Sequence, residues 1–131
     1  MIEFFLRMIP PTATAQMHKV TRQGRFYDPP EVADARAKLC AHLAQNVPEK
    51  PLTGPLRLYA KWCFPAWDGK HASGEPKITR PDTDNLQKLL KDCMTDAGFW
   101  KDDALVAEEF VGKYWADMEH TGIYIRVEVI S

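Results

Sequence analysis

A mixed α/β (α+β) single domain, with a small mixed sheet packed by two helices, is the fold class this sequence predicts, and three observations carry it. Apolar and polar residues alternate from Leu56 to Phe64, the period of a half-buried strand. Apolar residues recur at helical spacing from Leu86 to Ala97. The 131 residues suit one core of ordinary domain size, and helical and strand patterns alternate along them without an internal repeat.

The elements follow in order. Residues 2 to 9 are apolar enough for a first strand, which Pro10-Pro11 ends. Residues 12 to 28 are polar and basic, with His18, Lys19, Arg22 and Arg25 leading to Phe26 and Tyr27; they read as a phosphate-gripping loop or a solvated connection. Pro29-Pro30-Glu31 opens a helix to about Gln45, with Pro in the first turn and an acid near the positive end of the dipole. Val32, Ala35, Leu39 and Leu43 form its core stripe. Leu56 to Phe64 is the second strand, and residues 65 to 81 are a Pro- and Gly-rich loop made basic by Lys70, His71, Lys77 and Arg80.

Leu86, Leu89, Leu90, Cys93, Met94 and Ala97 line one face of the second helix, which Asp84 and Gln87 could cap and Gly98 stops. Phe99 and Trp100 follow the stop directly; packing that anchors the turn and holds Asp103 is the reading preferred over stacking on bases. Leu105 to Trp115 and Gly122 to Ile130 are two further strands, expected to form a hairpin across the polar turn at 117 to 121. Trp62, Trp67 and Trp115 have no motif context and are assigned to packing or a dimer surface.

Hydrophobic residues at 45% and charged residues at 27% are ordinary for a folded soluble chain, and no apolar run reaches the length of a membrane helix. The N-terminus lacks the pattern of a signal peptide. Cys40, Cys63 and Cys93 are odd in number and far apart, which argues for a reducing cytoplasm and against a disulfide framework or a paired-cysteine zinc site; each reads as a small buried hydrophobe. Formal net charge is -1, but its distribution is uneven. Residues 1 to 91 carry 14 Lys and Arg against 9 Asp and Glu, a net of +5, whereas residues 92 to 131 carry 3 against 9, a net of -6. That asymmetry suits a basic binding face beside an acidic site.

The chemistry concentrates at Asp82-Thr83-Asp84-Asn85-Leu86-Gln87-Lys88. Extended backbone at 81 to 83 would send Asp82 and Asp84 to the same side, with Lys88 one helical turn beyond Asp84. Downstream, Asp102 and Asp103 offer further carboxylates. Two or three carboxylates with a substrate phosphate make a magnesium site, where an activated water attacks a phosphodiester and a lysine offsets the charge that develops. The competing reading has the same acids capping a helix and shaping a turn.

From Asp82 to Asp103 the sequence DTDNLQKLLKDCMTDAGFWKDD resembles the core signature of the RusA family of Holliday junction resolvases, joining D-x-D-N-L-x-K to G-x-W-x-D-D across a helix of fixed length. The N-terminal strand ending in Pro-Pro, the basic loop and the helix after it are similar in order and length. The resemblance implies a RusA-like fold and a homodimeric, magnesium-dependent endonuclease that makes paired nicks in four-way DNA junctions, often phage- or prophage-borne. It implies Asp82, Asp84 and Asp103 as metal-binding catalytic acids and Lys88 as the lysine at the phosphate, with Mn2+ able to replace Mg2+. Asn85 and Asp102 are supporting positions, Asn85 as a hydrogen-bond partner or a local cap, Asp102 as an extra ligand or a turn former. Only Lys77 and Arg80 precede Pro81, where members can carry a dense run of arginines. DNA contact is therefore expected to rest also on Lys19, Arg22, Arg25 and Lys70 and on the partner subunit. A non-catalytic branched-DNA-binding module and a nuclease acting on flaps, forks or single strands are the alternative functions.

Overall fold

The computed structural model describes residues 1–13, 19–20, 26–27 and 30–131. Its elements in chain order are β1 (Ile2–Leu6), β2 (Lys19–Val20), β3 (Phe26–Tyr27), α1 (Pro30–Ala44), β4 (Leu56–Pro65), α2 (Thr83–Ala97), a single 3-10 turn (Asp103–Leu105), β5 (Val106–Ala116) and β6 (Gly122–Val129). Four strands form one mixed sheet in the order β1-β6-β4-β5, and β2 pairs with β3 in a separate two-stranded ribbon. The first strand stops earlier than its apolar run, because the Met8 amide turns back onto the Leu6 carbonyl at 3.1 Å.

The alternation in β4 works as a half-buried strand should. Leu56, Leu58, Ala60, Trp62 and Phe64 are buried, while Arg57, Tyr59, Lys61 and Cys63 project to the other face. There Tyr59 stacks on Phe110 at 4.5 Å, and Arg57 bonds Glu108 and Glu128 at 2.7 and 2.9 Å. On the core side, Ile123, Ile125 and Val127 of β6 meet Leu86, Leu89, Leu90, Cys93 and Met94 of α2 and Leu39 and Leu43 of α1. The helices are tied to each other at their surface by Arg36, which donates to Asp96 at 2.8 Å and lies 3.9 Å from Asp92.

The expected hairpin between the last two strands does not form. β5 runs parallel to β4, reached through the α2 crossover, and β6 lies on the other side of β4, antiparallel to both β4 and β1. The physical reason is burial: Ile123, Ile125 and Val127 are fully enclosed and need a central strand, whereas β5 carries exposed Glu108, Glu109 and Phe110 and suits an edge. That edge is partly covered, since the connection after β4 lies along it, with Gly74 donating to the Trp115 carbonyl, Trp115 to the Glu75 carbonyl and Lys77 to the Lys113 carbonyl at 2.8 to 3.0 Å. Among the described residues no helix is long and apolar enough to cross a membrane.

Candidate active site

Helix α2 begins at Thr83, two residues earlier than a cap at Asp84 would allow, so Asp82, not Asp84, is its N-cap. Asp82 has the extended backbone of a capping residue, but its carboxylate makes no capping hydrogen bond. Asp84 accepts from the Asn85 amide at 3.0 Å, and Gln87 makes no bond back to the helix start. The capping box is therefore absent, and the Asp82 and Asp84 carboxylates stand exposed at the mouth of the helix. The chain is brought there by Lys113 of β5, whose ammonium donates to the Thr79 and Pro81 carbonyls at 2.6 and 2.8 Å.

At the other end of α2, Gly98 takes the left-handed conformation (φ 99°) and donates to the Met94 and Thr95 carbonyls. A side chain there would be strained, which is why glycine ends this helix. The reversal drives Phe99 and Trp100 into the core, where Phe99 also stacks on Phe4 of β1 at 5.7 Å. Neither ring is free to wedge into DNA. Trp100 Nε1 instead donates to Thr95 Oγ1 at 2.7 Å, and Thr95 Oγ1 donates to Asp103 Oδ1 at 3.3 Å, so the buried indole orients this carboxylate through one hydroxyl. Asp102 accepts from the Ala104 amide at 2.9 Å and thereby shapes the 3-10 turn, the turn-forming role of its two expected ones.

Both ends of the motif border one cleft. An open cleft of about 500 Å³ is lined by Thr83, Asp84, Gln87, Lys88, Lys91, Asp92, Asp103, Glu109 and Val111. Asp84, Lys88 and Asp103 thus share one volume; Asp82 is not among its lining residues, and among the described residues no three His, Cys, Asp or Glu side chains converge into a ready metal cage. Local sequence patterns gave no sign of Glu109, Asp92 and Lys91 as neighbours of this site, and placed Gln87 beside Asp84 only as a cap. Lys91 is engaged by Glu109 at 3.0 Å and Asp92 faces Arg36, whereas Lys88 has no ion-pair partner among the described residues. A free ammonium beside carboxylates is what a phosphate in such a cleft requires. The donor set fits a magnesium ion, which takes hard oxygen ligands, commonly one or two carboxylates, and completes its shell with waters and substrate phosphate.

The family model for Endodeoxyribonuclease RusA matches residues 8–128, nearly the whole chain. The chain belongs to the RusA family. A Crossover junction endodeoxyribonuclease RusA of Escherichia coli O139:H28 (strain E24377A / ETEC) is 53% identical over 38 residues, which is 29% of this chain and 32% of that protein. The alignment thus spans about a third of the relative's length. In this RusA-family chain the two helices and the four-stranded mixed sheet form the α+β domain that the sequence resemblance implies.

The basic residues are dispersed. Lys70 and Arg80 are exposed on the connection between β4 and α2. Lys77 on the same connection is turned inward, 7% exposed, its ammonium 4.3 Å from the Trp115 ring and donating to Thr79 Oγ1. The side chain thus packs this segment, and burial, then the nearby Lys113 charge, lowers its pKa. His71 likewise packs, stacked on Trp115 at 4.3 Å and bonded to Glu75 at 2.6 Å. Lys19 is in β2; Arg22, Arg25 and His18 lie outside the described residues. Burial pushes the Cys93 and Cys63 thiol pKa values up, and the neighbouring Cys40 thiol adds to the effect at Cys93.

Proposed function

We propose that this chain is a metal-dependent endodeoxyribonuclease that resolves four-way DNA junctions by paired nicks, in the recombination and repair of DNA. The observation that carries the reading is the meeting of Asp84 and Lys88 from α2 with Asp103 from the turn beyond it in one cleft of a RusA-family chain. Asp84 and Asp103 would hold a magnesium ion, or manganese in its place, with Asp82 at the adjoining helix cap supplying the third carboxylate; Asn85 supports them from the first helical turn. Bound there, the ion supplies Lewis-acid polarisation of the phosphodiester and a more acidic water. Lys88 binds a phosphate oxygen and offsets the charge gained on attack, and the Trp100–Thr95 pair holds Asp103 in place.

A junction has two equivalent strands to cut, so a two-fold homodimer presents two equivalent cleft sites to them. Lys19, Arg22, Arg25, Lys70 and Arg80 of both copies would grip the arms, which makes binding strongly salt-dependent. The chain is taken to act as one domain over residues 1–131, in the cytoplasm of a bacterium as a chromosomal, prophage or phage product.

The test is cleavage of a labelled synthetic four-way junction by wild-type protein and by Asp82→Asn, with and without magnesium, against linear duplex, flap and fork competitors. Paired, magnesium-dependent nicks lost in Asp82→Asn while junction binding persists support the reading. Binding without cleavage in magnesium or manganese leaves a junction-binding module, and equal cutting of flaps and forks leaves a broader nuclease.

A further inference from the structure

Gln87 lies in the buried row of α2, 2% exposed, in a stretch where Leu86, Leu89, Leu90, Cys93 and Met94 are all apolar. Among the described residues neither its amide nitrogen nor its amide oxygen has a hydrogen-bond partner. A glutamine amide brings two donors and an acceptor, and enclosing them unpaired destabilises the fold where a leucine or methionine in the same place would stabilise it. Local structure offers no explanation, because the bond from Gln87 back to the helix start is not made. Its position does: Gln87 is one helical turn from both Asp84 and Lys91, precedes Lys88, and lines the cleft shared by Asp84, Lys88 and Asp103.

Resting on the nuclease reading of that cleft, we propose that Gln87 contacts the substrate: its side-chain amide, enclosed at the cleft wall in the free protein, turns toward the cleft and donates a hydrogen bond to a non-bridging oxygen of the phosphodiester that is cut. The unpaired amide is then a group kept at a cost in stability until the phosphate arrives. A phosphate oxygen is an acceptor in want of donors, Lys88 supplies a point charge to it, and a planar amide on the neighbouring residue adds the directional contact that a lysine lacks.

Gln87→Leu separates this from a packing role. The wild type and the variant are compared in thermal stability, in affinity for a four-way junction in calcium, and in single-turnover cleavage at saturating junction in magnesium. The expected result is a melting temperature equal to or above that of the wild type, junction affinity weakened by no more than about threefold because one phosphate contact among many is lost, and cleavage slower by roughly 10- to 100-fold. Wild-type cleavage by a folded Gln87→Leu overturns the proposal. Should that variant misfold, Gln87→Met, unbranched and close in length, carries the same expectation and the same refutation. If the wild type itself cuts no DNA, the nuclease reading falls by that result alone, and the contact is then decided by thermal shift with magnesium and dimethyl phosphate. A shift in the wild type that is lost in Gln87→Leu upholds the phosphodiester contact, and equal shifts or none in both proteins overturn it.

Discussion

Replacing Lys113 by Met is the perturbation that most sharply couples the fold to the site. The Lys113 ammonium spans the Thr79 and Pro81 carbonyls at 2.6 and 2.8 Å, directly ahead of Asp82 and the start of α2. Two hydrogen bonds from a charged donor would contribute about 1.5–3 kcal/mol each if fully enclosed. One of these is exposed and the other partly buried, and loss of the charge also relieves Lys77, whose pKa is lowered by burial and by this neighbour. The net loss should therefore be about 1–2 kcal/mol, which for a chain of this size lowers Tm by about 4–8 °C. At 25 °C the variant stays folded, so cleavage measured there reports geometry: the segment that presents Asp82 is released, and magnesium-dependent junction cleavage should fall about tenfold or more. Calorimetry and single-turnover cleavage on one preparation provide the two readings. An unchanged Tm with unchanged cleavage would refute the idea that β5 sets the start of α2.

Two further outcomes follow from the same geometry. Thr95→Val leaves the buried Trp100 Nε1 without an acceptor and Asp103 without its donor, which should cost about 1–3 kcal/mol in urea unfolding, with little change in the slope. The Cys93 thiol, its pKa raised by burial and then by the neighbouring Cys40 thiol, should resist iodoacetamide in the folded protein and react on unfolding, as mass spectrometry would show. The sign of its pH dependence is fixed by that direction: the fold favours the neutral thiol, so the contribution is complete below the ordinary thiol value of 9.0 and is lost as pH rises beyond it.

The parts of the molecule that were legible in the sequence are those governed by local periodicity. β4 and α2 each have one buried face whose spacing admits a single reading, and the left-handed residue at Gly98 marks the helix end in the sequence and in the structure alike. Phe99 and Trp100 could be placed as anchors because they follow that stop directly. What depends on distant partners was not legible. The neighbours of β5 and β6 are chosen by how completely each face is enclosed, so adjacency in sequence suggested a hairpin where β4 intervenes. Two-residue strands such as β2 and β3 are too short to show a period. Lys77 read as a cation for DNA contact because a lysine in a basic, polar loop carries no mark of the aromatic rings that cover it. Gln87 fitted a local capping pattern, and only its enclosure shows that the pattern is not used.

The central claim is that the carboxylates at the two ends of α2 act as one metal-binding catalytic site, and cleavage by Asp84→Asn and Asp103→Asn tests it most directly. On a four-way junction titrated with magnesium, the wild type should produce symmetric paired nicks, while each variant binds the junction yet cuts it at least about 100-fold more slowly. Wild-type cleavage by either folded variant would contradict the claim.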